Sequence, residues 1–226
     1  MALTPPLRRV RRPTTHRLVA SRWPATGILD TISAAEDLEA VADLEGWTND
    51  RLQEELGPLT RIPREEWVVG TPHASVVMAA FCHPAQDGGR FSSAELGAWY
   101  AAFTLATAHA EAAYRRRREF DEVARAPLPV QMREYRAGID AALRDVRPAH
   151  RYPAYHHPTS YRQSQRLGIA LRRAGSNGLV YESVRAPGSD CLVVFWPRLV
   201  RNVRVGCHFE YTWPAGATGP TIRRLG

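Results

Sequence analysis

The residues best suited to ligand binding or catalysis lie in one short stretch, Gly88–Glu111, which reads GGRFSSAELGAWYAAFTLATAHAE. Arg90 follows two glycines, and Tyr100 and Glu111 follow it at intervals of ten and eleven residues. An arginine beside glycines suits an anionic ligand, because its planar fork binds phosphate or carboxylate bidentately and glycine lets the backbone approach closely. Glu111 falls among apolar residues, so its carboxylate must be paired or hydrogen-bonded. Two interpretations stay open, an ion pair with Arg115 one helical turn on and a functional carboxylate.

A second stretch, Tyr161–Trp196, contains YRQSQRLGIALRRAGSNGLVYESVR. It predicts a helix over Tyr161–Ala174 and, after a glycine-containing turn, a strand over Gly178–Val184. The two-residue period of a strand places Tyr181 and Ser183 on the same face. No GxSxG sequence surrounds the serine, which argues against a serine hydrolase.

These two stretches must be positioned by elements from the rest of the chain. Short apolar runs predict buried strands at Ala74–Cys82, Gly97–Phe103, Cys191–Trp196 and within Val203–Trp213. Alanine-rich sequence predicts a helix at Thr104–Arg118, and a second helix is predicted at Ala137–Asp145. The mixture predicts an α+β fold, with a compact mixed sheet and flanking helices.

The N-terminal part of the chain has a different texture. Residues 1–15 are rich in Pro, Arg and Thr and are predicted to be a flexible basic tail. Ser33 and Glu36 form a capping box, and residues 33–57 are predicted to be a helical insertion. Residues 16–226 are then predicted to form a single domain, as the length of 226 residues allows.

Composition narrows the class of protein. The formal net charge is +7, with arginine runs at residues 8–12 and 115–118. Such runs fit solvated faces or an anionic partner, whether nucleic acid, a phosphorylated small molecule or an acidic protein. Three cysteines without a CxxC pair predict a reducing, cytoplasmic setting. Apolar runs are too short to cross a membrane, and the N-terminus lacks the apolar region of a secretory signal.

Several familiar ligand motifs are absent. The chain contains neither GxGxxG nor GxxxxGK[ST], so a dehydrogenase and a P-loop enzyme are disfavoured. His156 and His157 are adjacent in a proline-rich loop, and no cysteine or carboxylate stands at zinc-finger spacing, so no metal site is predicted. No named nucleic-acid reader is present either.

In order and spacing, GGRFS, WYAA and TAHAE followed by YRQSQRLGIALRRAGSNGLVYESVR resemble the RES-domain family, named for an arginine, a glutamate and a serine. The resemblance covers roughly residues 74–196, and HRLVASRWP resembles the family's opening strand. It implies an ADP-ribosyltransferase-like core. It further implies that NAD⁺ is a substrate and not a cofactor. The implied reaction is hydrolysis, phosphorolysis with inorganic phosphate as co-substrate, or transfer of ADP-ribose to a protein.

The resemblance assigns site residues by position. Arg90, Glu111 and Ser183 match the catalytic set, and the residues implied to bind substrate are Arg17, Arg90, Tyr100, Tyr181 and Ser183. Arg22, in SRWP, competes with Arg17 for the role of the N-terminal arginine. The family's frequent proline before the serine is Glu182 here, which strand alternation directs away from Ser183.

The functional hypothesis is a toxin that cleaves the nicotinamide–ribose bond of NAD⁺ and arrests growth by depleting it. The family implies a helix-turn-helix, Xre-like antitoxin as partner, a homo-oligomer within the complex, and contact with DNA only through the antitoxin. Two alternatives stay open. One is an ADP-ribosyltransferase that modifies a host protein, and the other is a non-enzymatic basic nucleic-acid-binding protein with salt-dependent binding.

Overall fold

The computed structural model describes residues 5–21, 27–32, 34, 37, 59, 61–122, 126 and 128–226. Nearly all of the helical insertion predicted for 33–57, and Arg22, lie outside the described residues. The described strands are β1 (Leu7–Ala20), β2 (Trp99–Ala102), β3 (Val130–Asp145), β4 (Gly178–Glu182), β5 (Asp190–Val194), β6 (Arg201–Thr212) and β7 (Thr221–Leu225). The described α-helices are α1 (Ala74–Cys82), α2 (Leu105–Glu122) and α3 (Arg162–Arg173).

The strands form one mixed sheet in the order β1-β2-β5-β4-β3-β6-β7, with a further pairing between β1 and β3. Five strands therefore close into a ring, and β6 and β7 extend from it along β3. The ring is weakest between β1 and β2, which share the single register pair His16–Ala102. β3 and β4 are parallel, whereas the other pairs are antiparallel. The predicted α+β class with a compact mixed sheet is confirmed.

Each face of the sheet packs against different helices. One face, which includes Trp99, Tyr135 and Leu192, packs against α1 through Val77 and Phe81. The opposite face carries Leu179, Tyr181 and Val193 and packs against Phe91 and the apolar side of α3. Because successive strand residues alternate between faces, the functional residues on β2 and β4 lie on the second face, beneath α2.

Three secondary-structure predictions were wrong. Ala74–Cys82 forms α1 and not a strand, because a short run in which only Ser75 is polar has no period that distinguishes a helix from a strand. Ala137–Asp145 belongs to β3, whose alternating burial continues through it. Residues 7–15 are part of β1 and not a flexible tail. They pair along β3, and their arginines project outward to acids such as Asp140, which Arg9 contacts at 2.5 Å.

No α-helix within the described ranges is long and apolar enough to span a bilayer.

Gly168, on α3, fixes how closely that helix approaches the loop that carries Arg90. A Cβ atom at this position would lie well inside van der Waals distance of the Phe91 carbonyl oxygen. We expect Gly168→Ala to lower the free energy of unfolding by about 1–3 kcal/mol, because a backbone atom must be displaced. Thermal and urea unfolding test this. Gly219→Ala is the matched control, since open space surrounds Gly219. Equal stability of the two variants would contradict the close contact.

Candidate active site

One cavity of about 240 Å³ gathers most of the residues that the sequence singles out. Its lining includes five of the predicted site residues, namely Arg17, Arg90, Tyr100, Glu111 and Tyr181. The cavity lies between α2, the loop over residues 85–90 and the start of α3, above the second face of the sheet. Arg90 and Glu111, which the family resemblance assigns to the catalytic set, therefore share one cavity. The sixth residue, Ser183, lies beneath the lining and is 2% exposed.

Arg90 is buried, with 6% of its surface exposed, and several contacts fix its side chain. Its Nη1 donates to the His157 carbonyl at 2.8 Å and to the Tyr155 carbonyl at 3.4 Å, and its guanidinium lies 4.5 Å from the centre of the Tyr161 ring. Its Nη2 is buried and has no hydrogen-bond partner in the described part of the chain. A buried, unsatisfied cationic donor beside a cavity is costly unless a ligand satisfies it. The group therefore fits an anionic ligand.

Tyr100 shapes the glycine turn next to Arg90. Its hydroxyl accepts a hydrogen bond from the Phe91 amide at 2.8 Å and donates to the Ser92 hydroxyl at 3.1 Å. Burial raises the pKa of Tyr100 to about 12, so the phenol stays protonated at neutral pH. A Cβ on Gly89 would lie 2.6 Å from the Tyr100 hydroxyl, which explains the glycine. Tyr100 therefore presents its ring to the cavity while its hydroxyl anchors the turn.

Glu111 projects from α2 and is oriented by the end of β4. Its Oε1 accepts a hydrogen bond from the Ser183 hydroxyl at 2.7 Å. The same hydroxyl oxygen accepts from the amides of Arg185 at 3.1 Å and Ala186 at 3.0 Å. Arg115 pairs with Glu119 instead, at 3.3 Å, so the alternative of a Glu111–Arg115 ion pair does not occur here. Glu111 is thus a positioned carboxylate that faces a cavity.

The resemblance assigns Ser183 to catalysis and substrate binding, but its hydrogen bonds are directed to the protein. Its only proton is donated to Glu111, and its oxygen is occupied by two backbone amides. Direct contact with a ligand would require breaking this arrangement. Glu182 is directed elsewhere, as its alternation predicts, and its carboxylate accepts from the amides of Ala149 and Gly188 at 2.8 Å each.

Arg17 occupies the gap where β1 and β2 diverge. Its Nη1 donates to the Tyr100 carbonyl at 3.1 Å, and its guanidinium lies 4.8 Å from the centre of the Trp99 ring. Burial, with a smaller contribution from the nearby Arg115 charge, lowers the pKa of Arg17 to about 10, so it remains cationic. Arg17 therefore adds a second fixed positive charge to the cavity.

Tyr181 forms part of the cavity floor and is 5% exposed. Its ring packs against Phe91, with the ring centres 5.0 Å apart. Burial raises the pKa of Tyr181 well above 10, and it offers the cavity a neutral aromatic surface.

Sequence reasoning missed several contributors. Residues 149–158 form two 3₁₀ turns, over Ala149–Arg151 and Pro153–Tyr155, and supply the carbonyl groups that hold Arg90. Arg118 contacts Asp87 at 2.7 Å and ties α2 to the glycine loop. His16, beside Arg17, also lines the cavity. Partners that are distant along the chain leave no local signal in the sequence. Of these contributors, only His16 could have been predicted, from its position next to Arg17.

Among the described residues, no three side chains of His, Cys, Asp or Glu converge as a metal site would require.

The fold and the cavity define an α+β domain with an arginine and a glutamate at one candidate active site, and comparison with known proteins identifies its family. The model of the RES domain matches residues 58–214. The uncharacterized protein y4oC of Sinorhizobium fredii (strain NBRC 101917 / NGR234) is 26% identical over 204 residues, which are 88% of this chain and 82% of the relative.

A solved structure extends the comparison to the fold. A chain of the MbcT-MbcA toxin-antitoxin complex of M. tuberculosis aligns with a TM-score of 0.50 at 12% identity, over 91% of this chain and 87% of the other. At this identity the likeness concerns the fold. Because the family match covers more than half of the sequence, the chain belongs to the RES-domain family.

Proposed function

We propose that this protein is a toxin enzyme that binds NAD⁺ and cleaves its nicotinamide–ribose bond. One observation carries the proposal: a buried guanidinium with an unsatisfied donor, Arg90, and a positioned carboxylate, Glu111, share one cavity. Each group matches one part of NAD⁺. The guanidinium suits the central diphosphate, and the carboxylate suits the ribose that becomes cationic as the bond breaks.

Arg90 would bind the diphosphate through Nη2, and Arg17 would add a second positive charge. Glu111 would lie near the nicotinamide ribose and stabilise its developing positive charge. Nicotinamide leaves as a neutral pyridine with the bonding electron pair, so no general acid is required at the leaving group. Tyr100 and Tyr181 would supply aromatic surface for the bound rings.

Ser183→Ala distinguishes a residue that positions Glu111 from one that binds substrate. We expect kcat for nicotinamide release to fall about tenfold, because Glu111 loses the hydrogen bond that orients it, while KM changes less than twofold. Steady-state kinetics with NAD⁺ measure both quantities. A large rise in KM at unchanged kcat would instead assign Ser183 to substrate binding.

We further propose that a helix-turn-helix, Xre-like antitoxin inhibits the enzyme by inserting a segment into this cavity, in a complex that is itself homo-oligomeric and reaches DNA through the antitoxin. The family membership and the fold shared with a chain of a toxin–antitoxin complex support the antitoxin partner. Arg17 and Arg90 have no carboxylate partner in the described part of the chain, and their positive charge at the cavity fits an acidic segment, whereas Arg115 and Arg118 are paired with Glu119 and Asp87.

Purified protein incubated with NAD⁺, with and without phosphate, tests the activity through chromatography of the products. Nicotinamide with ADP-ribose indicates hydrolysis, and nicotinamide with ADP-ribose 1-phosphate indicates phosphorolysis. Lysate incubated with NAD⁺ labelled in its ADP-ribose part separates the rival, because transfer leaves the label on a macromolecule. If no nicotinamide is released and the protein instead binds DNA in a salt-dependent manner, the enzymatic proposal is wrong and the nucleic-acid-binding alternative is favoured.

A further inference from the structure

A buried carboxylate lies directly behind the cavity and has no place in the function proposed so far. Glu134, on β3, is 0% exposed, and a glutamate is rarely buried so completely unless its carboxylate is paired. Arg136 donates to both of its oxygens at 2.9 and 3.1 Å, and the Cys207 amide donates to Oε2 at 2.9 Å. The remaining contact is with His16, whose Nδ1 lies 2.7 Å from Oε1.

The contacts of Glu134 fix the orientation of the His16 ring. Burial opposes ionisation of Glu134, but the hydrogen bonds from Arg136, Cys207 and His16 outweigh it and lower the pKa of Glu134 to about 2. An ionised carboxylate can only accept, so Nδ1 of His16 carries a proton and donates it. In the neutral imidazole the lone pair then lies on Nε2.

The free nitrogen belongs to a residue of the cavity wall. His16 lines the same cavity as Glu111, and its side chain keeps 17% exposure. Nε2 has no hydrogen-bond partner anywhere in the described part of the chain. A carboxylate behind one imidazole nitrogen, with the other nitrogen open to a reaction cavity, is the arrangement by which a histidine serves as a general base.

We propose that His16 is a catalytic residue that accepts the proton of the attacking water, with Glu134 as its positioning residue. This rests on the proposed NAD⁺ cleavage and deepens it by assigning water as the acceptor of ADP-ribose. The bond between the nicotinamide nitrogen and ribose C1 breaks, and its electron pair leaves with neutral nicotinamide. The water oxygen forms a bond to C1, its proton passes to Nε2 of His16, and solvent later removes that proton.

The test compares water with a nucleophile that has no proton to lose. Azide attacks C1 directly and gives ADP-ribosyl azide and nicotinamide, without a base. We expect His16→Gln to lower formation of ADP-ribose at least 30-fold, while formation of ADP-ribosyl azide in the presence of azide changes less than threefold. His83→Gln is the matched control, because His83 is exposed and outside the cavity lining.

Glu134 is tested in the same assay with two variants. Glu134→Gln retains an oxygen that accepts from Nδ1, so we expect the ratio of hydrolysis to azidolysis to fall only about fivefold. Glu134→Leu removes that acceptor and should lower the ratio as far as His16→Gln does. Because each ratio is measured within one variant, partial loss of folded protein cancels.

The outcomes separate the two proposals. If wild-type protein releases no nicotinamide, the proposed function itself fails. If wild type releases nicotinamide but His16→Gln hydrolyses NAD⁺ at the wild-type rate, or loses hydrolysis and azidolysis equally, His16 is not the base. ADP-ribose 1-phosphate as the only wild-type product would likewise overturn the assignment of water.

Discussion

Glu111→Gln is expected to reduce nicotinamide release from NAD⁺ by two to three orders of magnitude, roughly 3–4 kcal/mol of transition-state stabilisation. The substitution removes the negative charge that would stabilise the cationic ribose. It retains an oxygen that accepts the hydrogen bond from Ser183, which Glu111 Oε1 receives at 2.7 Å. The fold should therefore be preserved, and the loss should appear in kcat more than in KM.

The matched control for Glu111→Gln is Asp121→Asn. Asp121 is on the same helix, its side chain is 59% exposed, and it pairs with Arg117 at the surface. We expect wild-type kinetics from this control, and melting temperatures within about 2 °C of wild type from both variants. A Glu111→Gln protein that releases nicotinamide at the wild-type rate would remove the carboxylate from the mechanism.

Arg90→Lys is expected to raise KM for NAD⁺ about 10- to 100-fold, even though it preserves the positive charge. Lysine has no planar fork, so it cannot donate to the His157 carbonyl and to a phosphate oxygen in fixed directions at once. Each charge-assisted hydrogen bond lost costs about 1.5–3 kcal/mol, which covers this range of KM.

Arg117→Lys provides the control for Arg90→Lys. Its side chain is 45% exposed and pairs with Asp121, so lysine should replace it without effect on KM. Urea unfolding of both variants separates lost binding from loosening of the loop that Arg90 ties down. An unchanged KM for Arg90→Lys in a stable protein would show that this guanidinium does not bind the substrate.

The fold was only partly predictable, for reasons that differ between elements. α2 was predicted because an alanine-rich run without Gly or Pro favours a helix whatever surrounds it. α1 was predicted as a strand because a nine-residue run in which only Ser75 is polar satisfies either period. β1 was predicted in part as a tail because its exposed arginines resemble a disordered composition. Its strand structure depends on pairing with β3, more than a hundred residues along the chain.

The site shows the same division. Spacing along the chain singled out Arg90, Tyr100 and Glu111 in one stretch, and the resemblance to the RES-domain family joined Ser183 to them. The distribution of their hydrogen bonds follows from the folded arrangement: Ser183 donates its proton to Glu111, and Nη2 of Arg90 has no partner among the residues that the structure describes. His16 and Glu134 are separated by 118 residues yet lie within hydrogen-bonding distance. Spacing along a chain records which chemical groups are available, whereas the satisfaction of a buried donor or acceptor depends on atoms that folding brings from elsewhere.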